Sequence, residues 1–302
     1  MKTQLMRLLP SDGVAATEAE KLTVMTYNAL AQCYVSSKFF PYCKSRELQW
    51  RNRSKNLECD QYDEFWAGKM TNLGYKGIFV KKTGTQKDGV AVFWKVGKLQ
   101  VKEHKQIELN LPNGDESDYD HELLSRSKRG TVGIVVHFEN LETHLEFVIA
   151  TTHLFWDPMQ EDVKMLQTRR MLRAMESFTR ALDASIPTIF AGDFNSLPDS
   201  KVFNFVTNDN HFSSAYSQYN PEGEGEPKFT NVNGVARTDD NKQVPRFVGT
   251  LDYIFYRSPR LRPAALMEIM SFEDASKEVA LPSTISPSDH LPLLCEFHIQ
   301  AM

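Results

Sequence analysis

The 302-residue sequence lacks any apolar stretch long enough to cross a bilayer, and its first 21 residues carry no apolar core of the kind a secretory leader needs. A membrane-spanning helix is not expected. Cysteine is scarce: Cys33, Cys43, Cys59 and Cys295 show neither CxxC spacing nor the density of a disulfide scaffold. Reduced thiols in an intracellular, cytoplasmic protein are the expectation. Excess positive charge is missing too, since the formal net charge is -4, which argues against a broad basic face wrapped around duplex nucleic acid. A narrow site groove is still compatible with that balance. Internal repeats and Gly/Ser/Pro-rich linkers are absent as well, so one layered domain over 22–302 behind a flexible 1–21 is the expected organisation.

What is present is a soluble globular composition, 41% hydrophobic and 25% charged, enough for a sizeable core. Leu22 to Tyr27 alternates and is β-branched, so it reads as a strand ending at Asn28. A helix capped by Ser45 is expected through Leu48 to Leu57, and a second one from Tyr62 to Leu73 stopped by Gly74. Strands are expected at 77–82, 89–96, 131–139, 145–152, 188–191, 250–256 and 291–299, with a long helix over about 158–184. Its arginines, Arg169, Arg170, Arg173 and Arg180, read as a solvated face. Asn110 to Lys128 and Tyr219 to Pro245 read as loops. Strands interrupted by helices and hairpins define an α/β class with mixed sheets packed against other layers.

Polar residues recur where the apolar strands end: Asn28, His153, Asp193 with Asn195, Asp252, and Asp289 with His290. Strand ends hold side chains rigidly. An oxygen-rich set for a hard cation, a base for water and donors for a charged phosphorus centre are what phosphodiester hydrolysis requires. Each signal alone is weak, because histidines and Asp-His pairs are common in turns; their joint order carries the inference.

That order resembles the endonuclease/exonuclease/phosphatase superfamily, through Thr26-Tyr27-Asn28, Thr152-His153-Leu154, Gly192-Asp193-Phe194-Asn195, Leu251-Asp252-Tyr253 and Ser288-Asp289-His290. Phe40-Pro41-Tyr42, Tyr62 to Trp66, Lys87 to Val90, Phe229-Thr230-Asn231 and Phe247 to Tyr256 narrow the likeness to the carbon catabolite repressor, nocturnin and Angel group. The resemblance implies two mixed β-sheets packed as a sandwich and flanked by helices. It implies a Mg²⁺ site, with Mn²⁺ as a substitute, lined by Asn28, Glu58 and Asp289. Asp193 would be the base, near Asn195 and the scissile phosphate; His153 and His290 would face the phosphate, and Asp252 would orient one of them. Phe247 would stack on a base of single-stranded RNA, and removal of poly(A) from a 3′ end is the implied activity. A small nucleotide such as NADP(H) is the alternative substrate, and a catalytically impaired RNA-binding or adaptor form is the alternative outside enzymology.

One departure from the family pattern motivates that last alternative. Where the group has a buried apolar strand leading to the metal-binding Glu, Leu57 is here followed directly by Glu58-Cys59-Asp60. A missing inner strand would leave its neighbours' ladder groups unpaired.

Overall fold

The computed structural model describes residues 5–8, 21–54, 62–110, 120–220 and 225–299. In chain order the elements are β1 (Leu5–Arg7), β2 (Lys21–Thr26), α1 (Trp50–Arg53), α2 (Ala67–Asn72), β3 (Tyr75–Lys81), β4 (Gly89–Lys95), β5 (Leu99–Glu108), α3 (His121–Ser127), β6 (Val132–Asn140), β7 (Glu146–His153) and α4 (Glu161–Thr179). The second half supplies β8 (Thr188–Asp193), α5 (Lys201–Asn204), β9 (Ser213–Ser214), β10 (Asn231–Asn233), β11 (Ala236–Arg237), β12 (Gln243–Val244), β13 (Phe247–Gly249), β14 (Asp252–Arg257), β15 (Leu261–Met267), α6 (Phe272–Ala275) and β16 (Leu293–Ile299). No helix among the described residues is long and apolar enough to cross a membrane.

A six-stranded mixed sheet in the order β5-β6-β7-β8-β14-β9 forms the central layer, with β7 and β8 parallel and the other pairs antiparallel. Its inner strands β6, β7, β8 and β14 are largely buried on both faces, as a covered sheet requires. The period of two sends Ile134, Val136, Ile189, Ala191 and Ile254 into one core and Val135, Phe190, Tyr253 and Phe255 into the other. The second of these cores is closed by Met171, Leu172 and Met175 of α4. The first is closed by the opposing layer, through residues such as Leu22, Val80, Val90, Leu266, Leu293 and Phe297.

That opposing layer is antiparallel and comes in two parts: a four-stranded sheet β1-β15-β16-β2 and a separate β3-β4 hairpin. Among the described residues, β2 pairs only with β16 and β3 only with β4, so each keeps an unpaired edge. Both parts line the same core, where Val24 and Ile78 remain half-buried. Among the described residues the layer is therefore divided between β2 and β3. On the outer side Tyr62 stacks on Phe79 at 4.7 Å between ring centroids, which fixes the turn leading into α2 on the hairpin.

Several expectations are corrected. Of the helix expected from Leu48 to Leu57, the described residues show α1, begun at Gln49 rather than capped by Ser45. Its sequence, Trp-Arg-Asn-Arg, has no apolar stripe to bury. Residues 55–61, with Glu58, lie outside the described residues. The supposed loop at 110–128 contains α3, which Asp120 caps by accepting from the Glu122 amide and which buries Leu124. Strands β5 and β15 are additions: the first is a highly charged edge strand, the second contains Pro263, and each carries a register shift. The supposed surface loop at 219–245 turns inward at Thr230, Asn231 and Val232, all fully buried. Within the expected flexible start, Leu5–Arg7 pairs with β15.

Candidate active site

Three adjacent strands of the central sheet end at one level. His153 closes β7, Asp193 closes β8 and Asp252 opens β14, and Asp193 is the register partner of both others. Gly192 makes this possible, since a Cβ there would lie 2.2 Å from the Thr152 carbonyl oxygen and push β8 off β7. Asp193 is buried, and its carboxylate is the hub. Its Oδ1 accepts from the Asn195 amide at 2.8 Å and its Oδ2 from Asn28 Nδ2 at 2.8 Å. His153 Nε2 and His290 Nε2 stand 3.5 and 3.6 Å from the same Oδ2. Asn195 adopts φ 46°, a left-handed turn that asparagine tolerates, and its Nδ2 donates to the Leu154 carbonyl at 3.0 Å.

His290 is held from behind. Its Nδ1 donates to Asp252 Oδ2 at 2.8 Å, and the Thr230 hydroxyl donates to that same oxygen at 2.7 Å. Thr230 Oγ1 also accepts from the Leu251 and Asp252 amides, which ties the start of β14 to the inward-turned segment. Burial opposes charge on His290, but Asp252 and Asp193 outweigh it and push the imidazole up to about 10. The opposite holds at His153. Burial and the Lys82 ammonium hold its imidazole down at about 3 against the pull of Asp193. The two histidines that face one carboxylate are thus pushed in opposite directions, His290 toward its charged form and His153 toward its neutral form.

The opposing layer brings Asn28 and Asp289 to the same place. Ser288 Oγ donates to the Asn28 carbonyl at 2.7 Å and accepts from the His290 amide at 3.1 Å. The fully buried Arg53 guanidinium donates to the carbonyls of Leu30 at 2.6 Å and Pro287 at 2.8 Å, so one cation fastens both loops. Asp289 Oδ2 accepts from Asn231 Nδ2 at 3.3 Å and Asn233 Nδ2 at 3.1 Å. Its Oδ1 is buried without a hydrogen-bond partner among the described residues.

Among the described residues, the His/Cys/Asp/Glu group compact enough to hold an ion is Asp193, Asp252 and His290, with ligand atoms within 4.8 Å of one another. Both nitrogens of His290 already face those two carboxylates, Nδ1 hydrogen-bonded to Asp252 and Nε2 3.6 Å from Asp193 Oδ2. Two carboxylate oxygens of the site, Asp289 Oδ1 and Asp252 Oδ1, are buried without a hydrogen-bond partner among the described residues, and an unpaired buried carboxylate oxygen, costly by itself, fits a hard cation.

Seven of the nine residues singled out in the sequence are thus brought together: Asn28, His153, Asp193, Asn195, Asp252, Asp289 and His290. Phe247 lies one strand away, as the register partner of Asn233, with its ring over Gly249. Glu58 lies outside the described residues. Arg53, Asn233 and the buried Lys164, which donates to the Asn195 carbonyl at 2.7 Å, were not anticipated. Asn231-Val232-Asn233 did carry a signal, since alternation on a strand points both amides the same way.

Comparison with known proteins agrees with this geometry. Residues 41–290 match the Endonuclease/Exonuclease/phosphatase family, and the chain belongs to it. Within that family of nuclease- and phosphatase-type hydrolases it falls with the carbon catabolite repressor, nocturnin and Angel group. It is 30% identical over 340 residues to carbon catabolite repressor protein 4 homolog 4 of Arabidopsis thaliana, covering 93% of this chain and 78% of that protein. Because 340 aligned positions exceed the 302 residues available, the relative carries segments that this chain lacks. The CCR4-Not complex 3′-5′-exoribonuclease subunit Ccr4 of Debaryomyces hansenii is 27% identical over 93% of this chain, which spans only 39% of that relative. Of solved structures, ANGEL2, described as a 2′,3′-cyclic phosphatase and bound to adenosine-2′,3′-vanadate, matches with a TM-score of 0.78 at 22% identity over 100% of this chain and 99% of that one. The human nocturnin catalytic domain with bound sulfate matches at 0.72 and 24% identity, over 99% and 97%.

Proposed function

We propose that the chain is a divalent-metal-dependent phosphodiesterase that removes nucleotides from the 3′ end of single-stranded RNA, with poly(A) as its substrate. The observation that supports this best is the alignment of His153, Asp193 and Asp252 on three neighbouring strand ends, with His290 held between the two carboxylates. Asp193, fixed through both oxygens, orients a water and takes its proton as the water attacks phosphorus. Cationic His290, backed by Asp252, donates to a non-bridging phosphate oxygen and offsets the negative charge that builds there. His153, whose Nε2 stands 3.5 Å from Asp193 Oδ2, faces the phosphate on the other side of that carboxylate. The bond to the departing 3′ oxygen breaks, that oxygen takes a proton from solvent water while Asp193 returns to solvent the proton it accepted, and a nucleoside 5′-monophosphate is released.

Asn28 and Asp289, joined by Glu58, would hold Mg²⁺, with Mn²⁺ able to replace it. The ion, when bound, supplies positive charge that polarises the phosphoryl group. Phe247 would stack on a base of the RNA, a sequence-tolerant contact suited to a single strand.

The test sets a 3′-hydroxyl oligo(A) beside NADPH, each with Mg²⁺ and with excess chelator. Metal-dependent shortening of the oligonucleotide is expected, lost on chelation and restored by Mg²⁺ or Mn²⁺. Release of phosphate from NADPH alone would make the chain a nucleotide phosphatase built on the same site. Absence of turnover on both would leave a binding or adaptor protein.

A further inference from the structure

Helix α4 buries three polar side chains, Lys164, Gln167 and Thr168, all at most 4% exposed, on the face it turns toward the central sheet. Apolar residues would normally fill such positions, since a buried amide or ammonium without partners is costly. Thr168 satisfies itself, its hydroxyl donating to the Lys164 carbonyl at 2.8 Å. The other two reach out of the helix to the site loops. Lys164 Nζ donates to the Asn195 carbonyl at 2.7 Å, in the turn after β8. Gln167 Oε1 accepts from the Phe155 amide at 2.9 Å, in the loop after β7, while its Nε2 donates to Thr131 Oγ1 at 2.9 Å. The two loops are already cross-linked by Leu154, whose amide donates to the Asp193 carbonyl at 2.9 Å and whose carbonyl accepts from Asn195 Nδ2 at 3.0 Å. Positions 164 and 167 lie one helical turn apart, so a single rigid element grips both loops at once.

We infer that Lys164 and Gln167 are positioning residues, which set the spacing of His153, Asp193 and Asn195 by clamping the two loops to one face of α4. The helix and not the loops then fixes where the reacting groups stand. The Lys164 bond has a particular job: it holds the carbonyl of a left-handed residue, φ 46°, whose own amide steadies Asp193 Oδ1. The proposal rests on the hydrolytic reading of the site, and its test keeps the two separable.

Lys164→Met and Gln167→Leu are compared with wild type on oligo(A) with Mg²⁺, alongside melting temperature and amide hydrogen exchange. Lys164→Met takes the donor from the Asn195 carbonyl, so the variant should melt slightly lower than wild type and stay folded at assay temperature. Its kcat should fall roughly 10- to 100-fold, the usual loss when an outer support is removed. KM should stay within about twofold, because the clamp acts on the reacting groups and not on substrate binding. Exchange should accelerate at the Phe155 amide in Gln167→Leu and at the Asn195 amide in Lys164→Met. Wild-type kcat in both variants overturns the proposal and leaves the hydrolytic reading standing, and so does a kcat loss no greater than the loss of folded protein. An inactive wild type refutes the hydrolytic reading instead; the clamp then stands if exchange accelerates and falls if both amides are unchanged.

Discussion

The central sheet and the layer opposite it contribute to the same site in different ways. Strand β8 is buried at every residue and bonded on both sides, and it sets Asp193 between the ends of two neighbours. Strand β2, which leads to Asn28, has a partner on one side only among the described residues, and three of its six residues are half-buried and two exposed. A full ladder fixes a side chain through the strand itself. A half-bonded strand needs outside fastening, which here comes from Arg53 and Ser288 reaching across to the Asn28 loop. His153 and Asp193, proposed here for proton chemistry, sit on the first kind of support, and Asn28, proposed for metal, sits on the second.

That contrast is broken most directly at the hub. Asp193→Ala and His290→Ala should each lower oligo(A) hydrolysis by a factor on the order of 10²–10⁴ while the chain stays folded, measured as initial rates with Mg²⁺ present. Rates near wild type would remove the proton chemistry from the central sheet in the case of Asp193→Ala, and from the loop before β16 in the case of His290→Ala. A smaller effect is expected at the rim. Phe247→Ala should cut the preference for oligo(A) over oligo(U) by about 1–3 kcal/mol per stacked base, with simple phosphodiester hydrolysis retained. If wild type and variant treat the two oligonucleotides alike, Phe247 reads nothing. The smallest effect addresses the divided layer. Inserting an apolar strand of about six residues between Leu57 and Glu58 should raise the melting temperature by ~2 °C or more, tighten Mg²⁺ binding and speed turnover. Unchanged melting and unchanged rates would show that the β2 and β3 edges need no bridging strand.

How much of this was legible beforehand follows the same division. The strands ending in His153, Asp193 and Asp252 announce themselves, because a covered strand reads as an apolar run and a polar residue at its end stands out. Strands β5 and β15 were invisible for the converse reason: one is a charged edge, the other holds a proline, and their pairing is decided by tertiary partners. Asn28, Asp289 and His290 were found through their neighbours in sequence, but Arg53 was not, since nothing local distinguishes an arginine that will bury itself from one that will not. Lys164 was hidden by helical periodicity itself, which predicts Met165, Leu172 and Met175 on the buried side and gives no reason to look for a cation among them.

The bond from Ser288 to the Asn28 carbonyl joins positions 260 residues apart, and the Arg53 bond to Pro287 spans 234. Synthesis runs from the N-terminus, so the Asn28 loop and Arg53 leave the ribosome long before the segment that locks them. A nascent chain can assemble β6, β7 and β8, with His153 and Asp193 in register, while Asp289, His290 and the ties to Asn28 are still untranslated. A centre built from both layers is therefore complete only once the segment carrying Asp289 and His290 has been made, well after the strands that it joins.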